Sequence, residues 1–296
     1  MMMKKNILVT GHTGMLGRNI VNVLLPFQKF KLFGVSKNQK LNLDGVEEFN
    51  TDLADDDNVK RILDKVNTEI IVHTAAFTNL DYCENNRIPT YQLHVKLTET
   101  LARFEGSKLI YISTDSVFDG KHGNYEENDP TYPLNYYAHS KLEGEWAALA
   151  FNPKTLVIRT NLYGFKTPFG TSLAEWALKS FKEGKTIKGF NDVVFNPLYA
   201  RQLADLLLRL IDTDLEGRLH VGCLENMSKF RFLKELASAF GYPEMLVTEF
   251  ASPVDNALRK PRDTTLDINY LKKVLNVLPS ISTGLQMLKA DYLKLV

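Results

Sequence analysis

Apolar residues gather in continuous runs at 7–10, 31–35, 70–74, 109–113 and 156–159. Runs this short and unbroken read as strands buried on both faces. Between them, at 15–25, 58–66, 89–104 and 137–150, apolar positions recur at spacings of three and four, which predicts amphipathic helices. A further, weakly marked strand is expected just before Asp52. Strand and helix in alternation require right-handed crossovers, so the fold class is α/β, a doubly wound parallel sheet of Rossmann type. Past about residue 160 the texture changes. Loop-like stretches at 161–171 and 251–264 accompany helices expected at 172–183, 200–212 and 228–240. The chain therefore divides softly into a domain over 1–160 and a smaller C-terminal region over 161–296, partly interleaved with the first. Trp146 and Trp176 fall in helical patterns and read as core residues.

Composition adds exclusions. With 296 residues, 44% of them hydrophobic and 24% charged, the chain is long enough to bury one large core. A net charge of +1 creates no field that would draw nucleic acid or an anionic membrane, so an anionic ligand must be small and held by local groups. Cys83 and Cys223 lie in no ligand pattern, which points to inert buried thiols and to no metal site. The apolar run after Met1 is too short for a signal core or a membrane span, so a cytoplasmic location is expected.

The chemistry begins where the first strand meets the first helix. Gly11-His12-Thr13-Gly14-Met15-Leu16-Gly17 places glycines where backbone must turn sharply and approach a pyrophosphate, with a helix N-terminus behind it. The 1–160 domain is accordingly expected to bind a dinucleotide, and 161–296 a substrate. Ser36 and Lys37 end the second strand, where an acidic residue would bind the ribose hydroxyls of NAD. A hydroxyl and an ammonium suit a 2′-phosphate better, favouring NADP(H), with NAD(H) the alternative.

The GxxGxxG spacing resembles the extended short-chain dehydrogenase/reductase family. That resemblance implies that Asp52 and Leu53 lie beside the adenine, and that Thr74, Ala75, Ala76 and Thr78 run along the cofactor. Tyr137 and Lys141, four apart, share one helical face and can reach one ligand. Lys141 is assigned to the nicotinamide ribose and Tyr137 to the reacting carbonyl as proton donor, a nearby ammonium and the nicotinamide charge favouring the phenolate. Thr114, at a strand end, would hydrogen-bond the substrate oxygen as charge grows on it.

Further segments carry the resemblance towards the dTDP-4-dehydrorhamnose reductase family: Ala75 to Asp81, Ser113 to Gly120, Tyr137 to Lys141 with Glu143-Gly144-Glu145, Arg159-Thr160, and the run at 260–267. It implies an oxidoreductase of dTDP-rhamnose biosynthesis, reducing the 4-keto group of a nucleotide-linked deoxysugar with NADPH. Ser116 follows Asp115 where the 4,6-dehydratases carry a glutamate, which favours reduction over elimination. Substrate-side candidates are Asp115, Ser116, Asn161, and Arg159 and Arg262 for the phosphates, although Arg159 could equally be a structural ion pair. The chain departs from that family at Ser116, His94 and Leu162, where it commonly carries Tyr, Asn and an aromatic residue; His94 could equally be an ordinary packed histidine. A nucleotide-sugar epimerase with tightly held NAD and a non-catalytic dinucleotide-binding regulatory subunit stay open, as does a homodimer.

Overall fold

A computed structural model describes residues 4–37, 40–166, 172–253 and 261–294. Parts of the loops expected at 161–171 and 251–264, and the first residue of the 260–267 run, lie outside the described residues.

The apolar runs form β1 (Lys5–Thr10), β2 (Phe30–Ser36), β3 (Val46–Asn50), β4 (Ile70–His73), β5 (Lys108–Ile112) and β6 (Thr155–Arg159). They lie in the order β3-β2-β1-β4-β5-β6, and a seventh strand, Gly217–His220, adds to β6. Every pairing is parallel. Strand order reverses between β1 and β4, so a crevice opens at their carboxyl ends, where open α/β sheets bind ligands. Alternate residues explain the unbroken apolar runs. Ile7, Val9, Val72 and Ile158 join the core on one face, while Leu8, Phe33, Ile71 and Val157 join the core on the other.

The helices are α1 (Met15–Leu24), α2 (Asp56–Val66), α3 (Leu80–Asn85), α4 (Arg87–Tyr91), α5 (Leu97–Ala102), α6 (Tyr136–Phe151), α7 (Leu173–Lys182), α8 (Ala200–Leu210) and α9 (Lys229–Phe240), followed by α10 (Asn269–Val274) and α11 (Ile281–Tyr292). The 89–104 pattern predicts one regular helix. Instead Gln92–Lys96, between α4 and α5, is a wide π-turn. Its cause lies across the helix interface: a Cβ on Gly144 of α6 would stand 2.5 Å from the His94 carbonyl, so the two backbones cross closely at that turn.

Residues beyond 160 pack back onto elements that precede them, since α8 packs on α1 and Gly217–His220 completes the sheet. Both cysteines are buried. The tryptophans are not core residues, Trp146 being 53% and Trp176 45% exposed. On α7 the buried face is already filled by Ala174, Ala177, Leu178 and Phe181, which leaves Trp176 on the outer arc. Among the described residues no helix is long and apolar enough to cross a membrane, and no cluster of metal-ligating side chains occurs.

Candidate active site

β1 hands the chain to α1 through Gly11 to Gly14. Gly11 has φ +68°, and a Cβ there would stand 2.8 Å from the Ala75 Cα; on Gly17 it would stand 2.3 Å from the Gly11 carbonyl. Both positions need glycine. Gly14 caps α1 without any side-chain hydrogen bond, so Met15, Leu16 and Gly17 begin the helix with its positive end open to an anion. These residues form one end of a cleft of about 730 Å³ that continues past Thr74, Ala76 and Thr78 to Thr114, Tyr137 and Lys141.

Two local features place the candidate catalytic pair. Thr114 lies two residues beyond β5, and Asn135 caps α6, its Oδ1 accepting from the Ala138 N–H at 3.0 Å. Tyr137 and Lys141 then fall on one face of the first turns, inside the cleft. The Thr114 hydroxyl stands beside the Tyr137 phenol in the cleft. Burial pushes that phenol up to about 12, the Thr114 contact only partly opposing it. The chain's own groups therefore hold Tyr137 protonated, against the expected pull towards phenolate, and this suits a proton donor. Lys141 donates to the Ile112 carbonyl at 2.7 Å and lies 4.0 Å from the Tyr111 ring. Burial pulls its ammonium down to about 7, with the Glu145 carboxylate opposing.

Asp115 draws the substrate-side candidates together. Buried, its carboxylate accepts from Asn161 Nδ2 at 2.7 Å, from Thr114 Oγ1 at 3.1 Å, from Ser116 Oγ at 3.3 Å, and from the Thr264 hydroxyl. Burial raises its pKa and these four donors oppose the rise.

Other sequence candidates stand elsewhere. Arg159 is 2% exposed, its Nε and Nη2 donating to the Glu145 carboxylate at 3.0 and 2.7 Å and its Nη1 to the Glu127 carbonyl at 3.2 Å. It is the ion pair behind the sheet and not a phosphate ligand, because its guanidinium is spent away from the cleft. Arg262 faces Asp192 at 3.6 Å on the surface, although its neighbours Pro261 and Thr264 line the cleft. Leu53 is buried in the core, and Ala75 packs on Gly11. Ser36 is buried at the end of β2, while the exposed Lys37 and Asp52 pair with each other at 2.6 Å.

Sequence reasoning missed Lys166, Lys229, Phe195 and Thr264, which also line the cleft. The two lysines belong to no motif, and only the fold brings them there. His94 is a placed residue. Its Nε2 accepts from the Phe77 N–H at 2.9 Å, which puts the proton on Nδ1, 2.8 Å from Ser140 Oγ; that hydroxyl donates to the Tyr137 carbonyl at 2.9 Å.

The chain is 27% identical over 96% of its length, and 97% of the relative's, to the probable low-salt glycan biosynthesis reductase Agl14 of Haloferax volcanii. It is 32% identical over 90% of its length, and 82% of the relative's, to methionine adenosyltransferase 2 subunit beta of Bos taurus. Among solved structures, dTDP-4-dehydrorhamnose reductase from Bacillus anthracis in complex with NADP superposes with a TM-score of 0.86, at 26% identity, covering 98% of this chain and all 100% of that one. A family model described as the RmlD substrate binding domain matches residues 3–293, and the chain belongs to that family.

Proposed function

We propose that the protein is an NADPH-dependent reductase of the 4-keto group of a nucleotide-linked deoxysugar. What carries this reading is one juxtaposition: the Thr114 and Tyr137 hydroxyls side by side, with Lys141 one turn on, in the cleft that the glycine turn opens. The NADP complex of the Bacillus anthracis reductase supports the cofactor. So does Lys37, whose surface pairing with Asp52 is of the weakly held kind and leaves it available to a 2′-phosphate.

Bound along this cleft, the reduced nicotinamide supplies the hydride. Tyr137, protonated at neutral pH, gives its proton to the ketone oxygen. Thr114 hydrogen-bonds that oxygen and then the phenolate left behind. Lys141 exchanges the Ile112 carbonyl for the ribose hydroxyls and places positive charge beside the phenolate. Asp115 holds Ser116, Asn161 and Thr264 around the sugar, and Lys166 and Lys229 meet its diphosphate. The cofactor is thus held by residues before 160, and the sugar by residues from both sides of that point.

A second reading has one observation in its favour: a relative at 32% identity is named as a subunit of another enzyme. Consumption of NADPH over a panel of nucleotide-linked 4-keto sugars separates the two. Turnover of at least one member is expected; cofactor binding with no turnover of any would sink the reductase reading and leave the regulatory one.

A further inference from the structure

His12 stands in the phosphate turn but does not line the cleft; it is fully buried on the other side of the turn. Its Nε2 is 2.7 Å from the Glu48 carboxylate on β3, and that side chain is only 6% exposed. To get there the ring crosses β2 at Gly34, the residue paired in register with Glu48. A Cβ on Gly34 would stand 2.5 Å from the imidazole carbons, so this strand is glycine where the ring passes. Glu48 is further committed, accepting from the Leu41 N–H at 2.6 Å and the Asn42 N–H at 2.7 Å. Burial raises its carboxyl pKa, but these donors outweigh burial and hold it below its ordinary value. The His12 Nδ1 is buried without a hydrogen-bond partner among the described residues. Filling space alone would favour an apolar side chain, which leaves no buried nitrogen unpaired.

The ring thus ties the phosphate turn to β2 and β3 at one corner of the sheet. The same corner is closed by the Gly11 N–H donating to the Val35 carbonyl at 2.8 Å and the Thr51 N–H donating to the Ser36 carbonyl at 3.0 Å. Lys37 and Asp52 project from it beside the buried Ser36, and the adenosine 2′ position would be read there.

We propose that the His12–Glu48 pair is a specificity-determining strut: from outside the cleft it fixes the corner that distinguishes a 2′-phosphate from a 2′-hydroxyl. This rests on the dinucleotide reading of the cleft. A preorganised corner binds the phosphate without first being ordered, so loosening it weakens the cofactor that uses it most.

The test is the affinity of the whole protein for NADP+ and for NAD+, by calorimetry, in His12→Ala, Glu48→Gln, the double variant and His12→Gln. Each single loss is expected to raise the NADP+ Kd roughly tenfold and the NAD+ Kd less than about threefold, with the double variant no weaker than the singles. His12→Gln, which keeps a donor towards Glu48, should restore most of the affinity. If His12→Ala does not fold, His12→Asn, too short to reach Glu48, takes its place. Equal losses for the two cofactors, or none, would overturn the strut. A parent protein that binds neither would overturn the dinucleotide reading instead.

Discussion

Tyr137 and Lys141 are held in opposite senses by the same burial, the phenol up at about 12 and the ammonium down at about 7. Tyr137→Phe removes the proposed proton donor and keeps the ring, so turnover should fall roughly a thousandfold while the cofactor Kd changes by no more than about threefold, read from single-turnover rates and titration. Near-normal turnover would unseat the mechanism. Lys141 carries a stability signature as well. Its folded pKa of about 7 lies below its ordinary value, so the unfolded chain binds the extra proton between the two, and stability at this site rises with pH across that window. Lys141→Met should therefore raise the Tm of the cofactor-free protein by several degrees at pH 6, a gain that shrinks towards pH 10. Spacing made this pair legible, because two residues four apart on a helix must share a face. Arg159 was not legible in the same way. Nothing in the local sequence says that β6 and α6 pack so as to put Glu145 against its guanidinium.

Elements decide how accurately those residues are presented. The π-turn Gln92–Lys96 escaped the sequence pattern because its cause, the close crossing at Gly144, belongs to another helix. Through His94 it reaches both the Phe77 backbone and, by way of Ser140, the first turn of α6. His94→Ala leaves a buried N–H unpaired and a cavity behind it, and should cost roughly 2–4 kcal/mol in urea unfolding. A loss below about 1 kcal/mol would show that the ring merely fills space. The strands and main helices were readable to within a residue or two, since burial on both sheet faces writes itself as continuous apolar runs. The edge strand β3, half-buried, was accordingly the faint one.

Across the whole molecule, three buried histidines set the acid limit. Burial lowers His73 to about 3, His94 to about 2 and His220 to about 3. Each folded pKa lies below the ordinary value of 6.5, so the unfolded chain takes up protons that the folded one refuses, and stability is lost as pH falls below 6.5. A fall in Tm on the order of 5–10 °C between pH 7 and pH 5 is expected in a thermal scan. A flat profile over that interval would contradict the buried, neutral assignment. The seventh strand and the cleft-lining lysines mark where sequence reading ran out, because residues after 160 return to a sheet that local pattern had already completed.

Asp115 has a consequence in time. Its donors come from positions 114, 116, 161 and 264, so a chain emerging from the ribosome must reach residue 264 before the last of them exists. Until then a carboxylate meant for a dry interior lacks a partner, and the loop that carries Thr114 has reason to stay in water. A chain ending at residue 253 should therefore be cut by protease within 113–120, where the full-length protein resists. The Asp115 cluster is therefore closed only after residue 264 has been made.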